Sequence, residues 1–368
     1  QVSINVVKVE SNLPEGIIGI SGNVLFRINP DGKNMSVLVD FSTKGVTSPV
    51  GRVLQGGNGK YYGLARYGGV NNYGALFEYD PVNGNYAKIA DMNSIGGKNP
   101  NGTLIQSTLN GKIYGTCDGG LVATEGIIFE YDPSNGSVVR KKIFDSRESN
   151  SKFGYYSTIG PVGNLVEGPN AKKIIGVGRH HIYGYDVVGS FYNTSITMGN
   201  DKIIVDENAP RLPDPPSPSI ILGSDGFLYG TTKFGGDGAT FQLQRGTLFK
   251  ANVTEGGVSA PQFFFSFTGS VLTGRPNDGG VTELNGKLYG TTTDGGEESS
   301  GELYEYDLVS KNMTKRADFQ AAATGKYPSS SLTIVNGKLY GMAKLGGAYG
   351  YGTIFEFDPT TGNLKKIF

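Results

Sequence analysis

Apolar and polar residues alternate with a period of two along nearly the whole chain, in short runs separated by clusters of Gly, Asp, Asn and Pro. That period sends successive side chains to opposite faces of a strand and fits no helix. Residues 337–368 show the pattern most plainly. One apolar run ends in Leu339-Tyr340-Gly341, a second covers 353–357 and a third 364–368. Between them stand Gly346-Gly347, where a missing Cβ lets the backbone take positive φ, and the turn sequence Asp358-Pro359-Thr360-Thr361-Gly362. With the apolar run at 330–335, the pattern predicts a four-stranded antiparallel unit that cannot bury both of its faces alone.

The glycine of the Leu-Tyr-Gly step recurs as Gly19, Gly63, Gly115, Gly176, Gly230, Gly290 and Gly341. A spacing of about 50 residues marks a repeat architecture. A second apolar-aromatic run follows each glycine, as at 75–79, 127–131 and 302–306, and most units then carry an Asp-Pro turn. There the Asp caps its own backbone, a structural role preferred to calcium binding. A fourth run ends in a large apolar residue such as Phe41, Phe144 or Phe319. Pro49, Pro100, Pro161, Pro218, Pro276 and Pro328 mark the next units, at a strand's first residue where no ladder bond is lost. The fourth unit is degenerate around Arg179-His180-His181, and the proline-rich stretch after it, 201–218, reads as a stiff surface loop.

Seven helix-free units predict an all-β fold: a seven-bladed, kelch-like β-propeller of four-stranded antiparallel blades. It is expected to be one domain over 1–368, with blades near 1–44, 45–95, 96–150, 151–212, 213–268, 269–320 and 321–368. Both ends begin or finish a whole unit, so the ring is expected to close by packing and not by strand exchange.

The consensus LYGTT..GG......GTLFEYDP..G, clearest at 228–249, 288–307 and 339–362, resembles kelch repeats and, more closely, the Gloeo/Verruco tandem-repeat family. The resemblance implies a propeller and large secreted or surface proteins of bacteria, some exported through a sorting domain. Two departures stand out: the chain has no Trp, where kelch repeats usually carry one in the fourth strand, and its fourth unit lacks the glycine pair.

Charge narrows the function. Lys plus Arg and Asp plus Glu both number 33, so the electrostatics give no reason for nucleic acid as a ligand. No run is apolar enough to insert in a membrane. The start at Gln1 fits a chain whose signal peptide has been removed, so a secreted or cell-surface location is expected. The lone Cys117 excludes an internal disulfide and reads as a small half-buried residue. His180 and His181 are adjacent and point to opposite faces, so they do not share a metal. No metal, cofactor or catalytic residue is assigned, and the kelch-like copper oxidases would need separated histidines.

Three residues past the repeat glycine stand Gly22, Arg66, Asp118, Arg179, Lys233, Thr293 and Lys344. Four of these are basic, and Tyr67, His180, Phe234 and Leu345 follow them. Equivalent positions of a propeller lie on one ring. Arg66, Tyr67, Arg179, His180, Lys233, Phe234 and Lys344 are therefore the candidate ligand-binding residues, with cations to donate and aromatic faces to stack, and Asp118 and Asp294 partly neutralise them. The expected function is a non-enzymatic, monomeric binding or adhesion module for a glycan or a protein, with secretion or surface-anchoring machinery as a further partner. The alternatives are a polysaccharide lyase or glycosidase using two of Asp118, Asp237, Asp294 and Glu297, and a structural spacer in a larger surface protein.

Overall fold

The computed structural model describes residues 7–8, 16–120, 126–144, 161–169, 173–178, 181–186, 196–197, 216–232, 245–254, 257–258, 262–267, 269 and 271–368. Among them the strands pair into seven antiparallel sheets, each built from consecutive strands. The second sheet is representative, running Val46–Gln55, Tyr61–Gly68, Ala75–Tyr79 and Tyr86–Asp91 in spatial order. The chain is an all-β propeller.

At Gly63, Gly115, Gly230, Gly290 and Gly341 an aromatic ring of the third strand lies over the repeat glycine. In every sheet it pairs directly across the ladder with the aromatic residue of the third strand: Gly19 with Phe26, Gly63 with Phe77, Gly115 with Phe129, Gly176 with Tyr183, Gly230 with Phe249, Gly290 with Tyr304 and Gly341 with Phe355. A Cβ on Gly63 would stand 2.3 Å from Phe77 Cζ, and one on Gly341 would stand 2.4 Å from Phe355 Cζ. The glycine frees the space that the ring fills, and burying such a ring contributes about 1.5–3 kcal/mol.

The large residue after the fourth strand packs into the next sheet. Phe41, Met92, Phe144, Phe267 and Phe319 are all buried, each in the core shared with the following sheet. Each backbone N–H is fixed as well, donating to Asn23 O, Gly74 O, Gly126 O, Gly246 O and Gly301 O respectively. Another core joins the fourth and fifth sheets through Ile175, Ile220, Leu228 and Phe249. The ring closes where Val335, Tyr340, Met342 and Ile354 of the last sheet meet Ile17, Phe26 and Ile28 of the first. Among the described residues no strand of the first sheet pairs with a strand of the last.

Two sheets depart from four strands. In the fifth, the long strand Thr247–Thr254 pairs with both Gly257–Val258 and Gln262–Ser266. In the last, Lys338–Leu345 pairs with both Lys326–Pro328 and Thr333–Val335, because the inner strand breaks where the Ser330 hydroxyl accepts the Met342 N–H. The prolines also differ from expectation. Pro161 and Pro276 open their strands, but Pro49 and Pro100 lie inside Val46–Gln55 and Gly97–Gln106. The inner strand is a sheet edge, so a missing N–H removes no ladder bond there.

The residue before these prolines is turned into the left-handed region in three sheets: Ser48 (φ 53°), Asn99 (φ 53°) and Tyr327 (φ 60°). The turn aims each N–H back at the preceding sheet, at Asn23 Oδ1, Tyr73 O and Ser300 O. The Asp-Pro turns form as expected. Asp80, Asp132 and Asp358 accept from the N–H two residues on, and their carbonyls accept from Gly84, Gly136 and Gly362.

Candidate ligand-binding face and axial cavity

Antiparallel strands put the loops between second and third strands on one end of the ring and the turns between first and second strands on the other. Of the candidate residues from the sequence, Arg66, Tyr67 and Lys344 belong to the first end. Arg66 and Asp118, at equivalent positions of adjacent sheets, form an ion pair with Nη2 to Oδ2 at 2.6 Å. Burial disfavours the Arg66 cation, yet the Asp118 carboxylate outweighs this and holds the guanidinium above its ordinary value. Tyr67 is partly exposed, with its ring centroid 6.0 Å from the Arg66 guanidinium. Thr293 is held by its N–H on Arg275 O, and the neighbouring Asp294 binds the Arg275 guanidinium. Lys344 is exposed near the end of Lys338–Leu345. Arg179, His180, Lys233 and Phe234 lie outside the described residues, as does Asp237. Glu297 is exposed.

The structure adds two residues that the sequence pattern did not single out. In the glycine loop after Lys344, Tyr349 is 86% exposed and Tyr351 is 90% exposed. The loop is closed on itself by Gly350 N–H to Gly347 O and Gly352 N–H to Gly346 O, and tied to its neighbour by Gly347 N–H to Ala321 O. The signal was present as Ala348-Tyr349-Gly350-Tyr351, where the sixth unit has Glu297-Glu298-Ser299-Ser300.

At the other end, a Lys-Glu pair recurs as Lys60–Glu78, Lys112–Glu130, Lys287–Glu305 and Lys338–Glu356. Tyr114, Tyr289 and Tyr340 donate to the second oxygen of Glu130, Glu305 and Glu356. Burial pushes the Glu356 carboxyl up, but Lys338, Tyr340 and Lys365 outweigh it and hold the group below the usual carboxylate range. Glu130 and Glu305 are held low in the same way. Each carboxylate is fully engaged, which makes these groups fasteners of the sheet and not acids for catalysis.

On this side a cavity of about 630 Å³ is lined by Arg52 of the second sheet together with residues of the fifth and sixth, among them Leu222, Ser224, Thr282, Glu283 and Asn285. Sheets so far apart in the ring meet only across its axis. Burial lowers the Arg52 guanidinium from its ordinary value, and among the described residues no carboxylate offsets it. Across the cavity both Glu283 oxygens accept from Ser224, from its N–H at 2.8 Å and from its hydroxyl.

Cys117 is fully buried, beyond the half-burial expected, and burial pushes its thiol well up. His181 opens the strand His181–Asp186, where a loop was expected. Among the described residues no three His, Cys, Asp or Glu side chains gather as a metal site, and no helix is long and apolar enough to cross a membrane.

The inter-sheet cores and the recurring glycine–aromatic pair define a β-propeller made of tandem repeats. The chain belongs to the Gloeobacter/Verrucomicrobia repeat family, whose profile matches residues 18–171 and 173–368. No curated protein matches it significantly. Among solved structures it is similar to the Pseudomonas aeruginosa periplasmic gluconolactonase, with 12% identity, a TM-score of 0.53, and coverage of 100% of this chain and 95% of that one. A Mycobacterium tuberculosis puromycin-hydrolyzing peptidase matches with 9% identity and a TM-score of 0.57, over 100% of this chain and 53% of the peptidase. The tricorn protease matches with 13% identity and a TM-score of 0.49, and the chain spans 26% of its length. At such identities the likeness is one of fold alone.

Proposed function

We propose that this protein is a non-enzymatic binding module of a secreted or surface protein, a ring of seven blades that takes a glycan on the face carrying the loops between second and third strands. The blade count is supported by the seven apolar cores that join neighbouring sheets in chain order. The observation that carries the ligand class is the display of Tyr349 and Tyr351, almost wholly exposed on a loop held by its own backbone bonds. Two aromatic rings kept in water on an ordered loop suit stacking on sugar rings, and prior ordering lowers the entropic cost of binding. Lys344 beside them, with Tyr67, Arg66, Arg179, His180, Lys233 and Phe234, supplies polar and cationic contacts in this reading. Arg66 contributes as half of a neutral pair, so salt dependence rests on Lys344, Arg179 and Lys233.

The test is a glycan array with the intact protein at low and at about physiological salt, alongside reducing-end release from the bound polysaccharides. Binding without release is expected, weakened at least about tenfold in Tyr349→Ala/Tyr351→Ala. New reducing ends would overturn the module in favour of an enzyme. Silence on the array, or undiminished binding by the double variant, would overturn the tyrosine site in favour of a protein partner or a spacer.

A further inference from the structure

The axial cavity carries a second assignment, independent of the tyrosine face. Its walls bear one charge of each sign that do not pair: the Arg52 guanidinium from the second sheet, and Glu283 from the sixth, whose oxygens each accept one bond from Ser224. An arginine stays protonated under any physiological condition. Arg52 therefore brings a permanent positive charge and five donors to a partly desolvated cavity, while among the described residues only its backbone N–H has a hydrogen-bond partner, Thr103 Oγ1. A planar guanidinium without a carboxylate matches a ligand carboxylate in two parallel bonds. The opposite wall asks for something different. Each Glu283 oxygen keeps acceptor capacity after the Ser224 bond, which suits donors such as hydroxyl groups, and Leu222 and Leu284 add apolar surface between the two ends. The volume falls within the roughly 300–1,000 Å³ of small-molecule sites.

We propose that this cavity is a binding site for a small hydroxylated carboxylate of the sugar-acid class, held with its carboxylate on Arg52 and its hydroxyls on Glu283 and Asn285. The ligand reaches it from the end of the ring formed by the turns between first and second strands, away from Tyr349 and Tyr351. The carboxylate supplies the charge that Arg52 lacks, and the uncharged hydroxyls avoid the repulsion that a second anionic group would meet at Glu283.

Isothermal titration of the intact protein with D-glucuronate, D-glucose and inorganic phosphate tests the assignment. Glucuronate is expected to bind at one site per chain, with glucose at least about tenfold weaker because it lacks the carboxylate. Arg52→Gln should lose about ten- to a hundredfold in glucuronate affinity with its thermal unfolding unchanged, and Arg52→Lys, which keeps the charge without the fork, should fall between. Tyr349→Ala/Tyr351→Ala should bind glucuronate as wild type does, which separates this site from the loop face. The assignment is overturned if wild type shows no saturable glucuronate binding, if phosphate binds where glucuronate does not, or if Arg52→Gln binds as tightly as wild type. Should Arg52→Gln fail to fold, Arg52→Lys decides, and undiminished affinity there overturns the fork.

Discussion

Replacing Gly63 by Ala would put a methyl carbon 2.3 Å from Phe77 Cζ and 2.9 Å from both Cε atoms. Carbon atoms prefer about 3.5–4.0 Å, so the ring would have to retreat by more than about 1 Å. It has no room to do so. Phe77 is completely buried, with the Phe41 ring centroid 4.8 Å away and that of Tyr86 6.0 Å away. Overpacking of this kind costs about 1–3 kcal/mol, against about 0.5–1 kcal/mol that Ala normally gains over Gly within a strand. Gly63→Ala should therefore destabilise the protein, by up to about 2.5 kcal/mol. The cause is isolated by a double-mutant cycle. Phe77→Ala alone should cost about 3–5 kcal/mol. With the ring gone, adding Gly63→Ala should be neutral or slightly stabilising, so the two changes couple by about 1–3 kcal/mol. Guanidinium unfolding followed by the near-ultraviolet circular dichroism of the tyrosines reads this out, with the slope of the transition unchanged between variants. If Gly63→Ala costs the same with and without Phe77, the ring is not the reason for the glycine and the account of the repeat fails.

Glu302 is fully buried and accepts from the Thr273 and Gly274 N–H groups, both at 2.9 Å. Glu302→Ala should cost about 1–3 kcal/mol for each stranded amide, and Glu302→Gln less because one oxygen remains; amide exchange at 273–274 as slow in the Ala variant as in wild type would refute the clasp. Acid should act through Glu130, Glu305 and Glu356, whose carboxyls the fold holds below their usual value of 4.5. Their contribution is complete above that value and is lost as the pH falls through the depressed folded values. Stability measured from about pH 6 down to about pH 3 should therefore fall less steeply in Glu356→Gln than in wild type, and parallel curves would show the Lys338–Glu356 pair to be idle.

The propeller was legible because its signals are local. Strand period, Asp-Pro turns and the Gly-aromatic step are written within one unit, and Gly63 and Phe77 meet in adjacent strands of the same hairpin. What joins one unit to the next was less visible. Arg66 and Asp118 occupy the same repeat position, yet their pairing depends on how far adjacent sheets splay. The left-handed Tyr327 contradicts the extended preference of a residue before proline, and only the Ser300 carbonyl of the preceding sheet explains it. Arg52 lies within the irregularity between Val50 and Leu54 of the inner strand, and nothing in its own unit says that its side chain meets the fifth and sixth sheets across the axis. Alternation does not reveal Tyr349 and Tyr351, because they lie in the loop between Lys338–Leu345 and Thr353–Asp358 and not in a strand.

The residues that leave five of the sheets, Phe41, Met92, Phe144, Phe267 and Phe319, all point forward along the chain into the sheet that follows. On the ribosome this gives assembly a direction. Each of these five sheets emerges with its plug already in place for a partner not yet made, which leaves an uncovered apolar seam at the growing end. The opposite flank, at Ile17, Phe26 and Ile28, waits longer than the other seams, because its cover is Val335, Tyr340, Met342 and Ile354, more than 300 residues further along the chain. Until the first and last sheets meet, a chaperone that shields the ring has two edges to hold, the oldest and the newest.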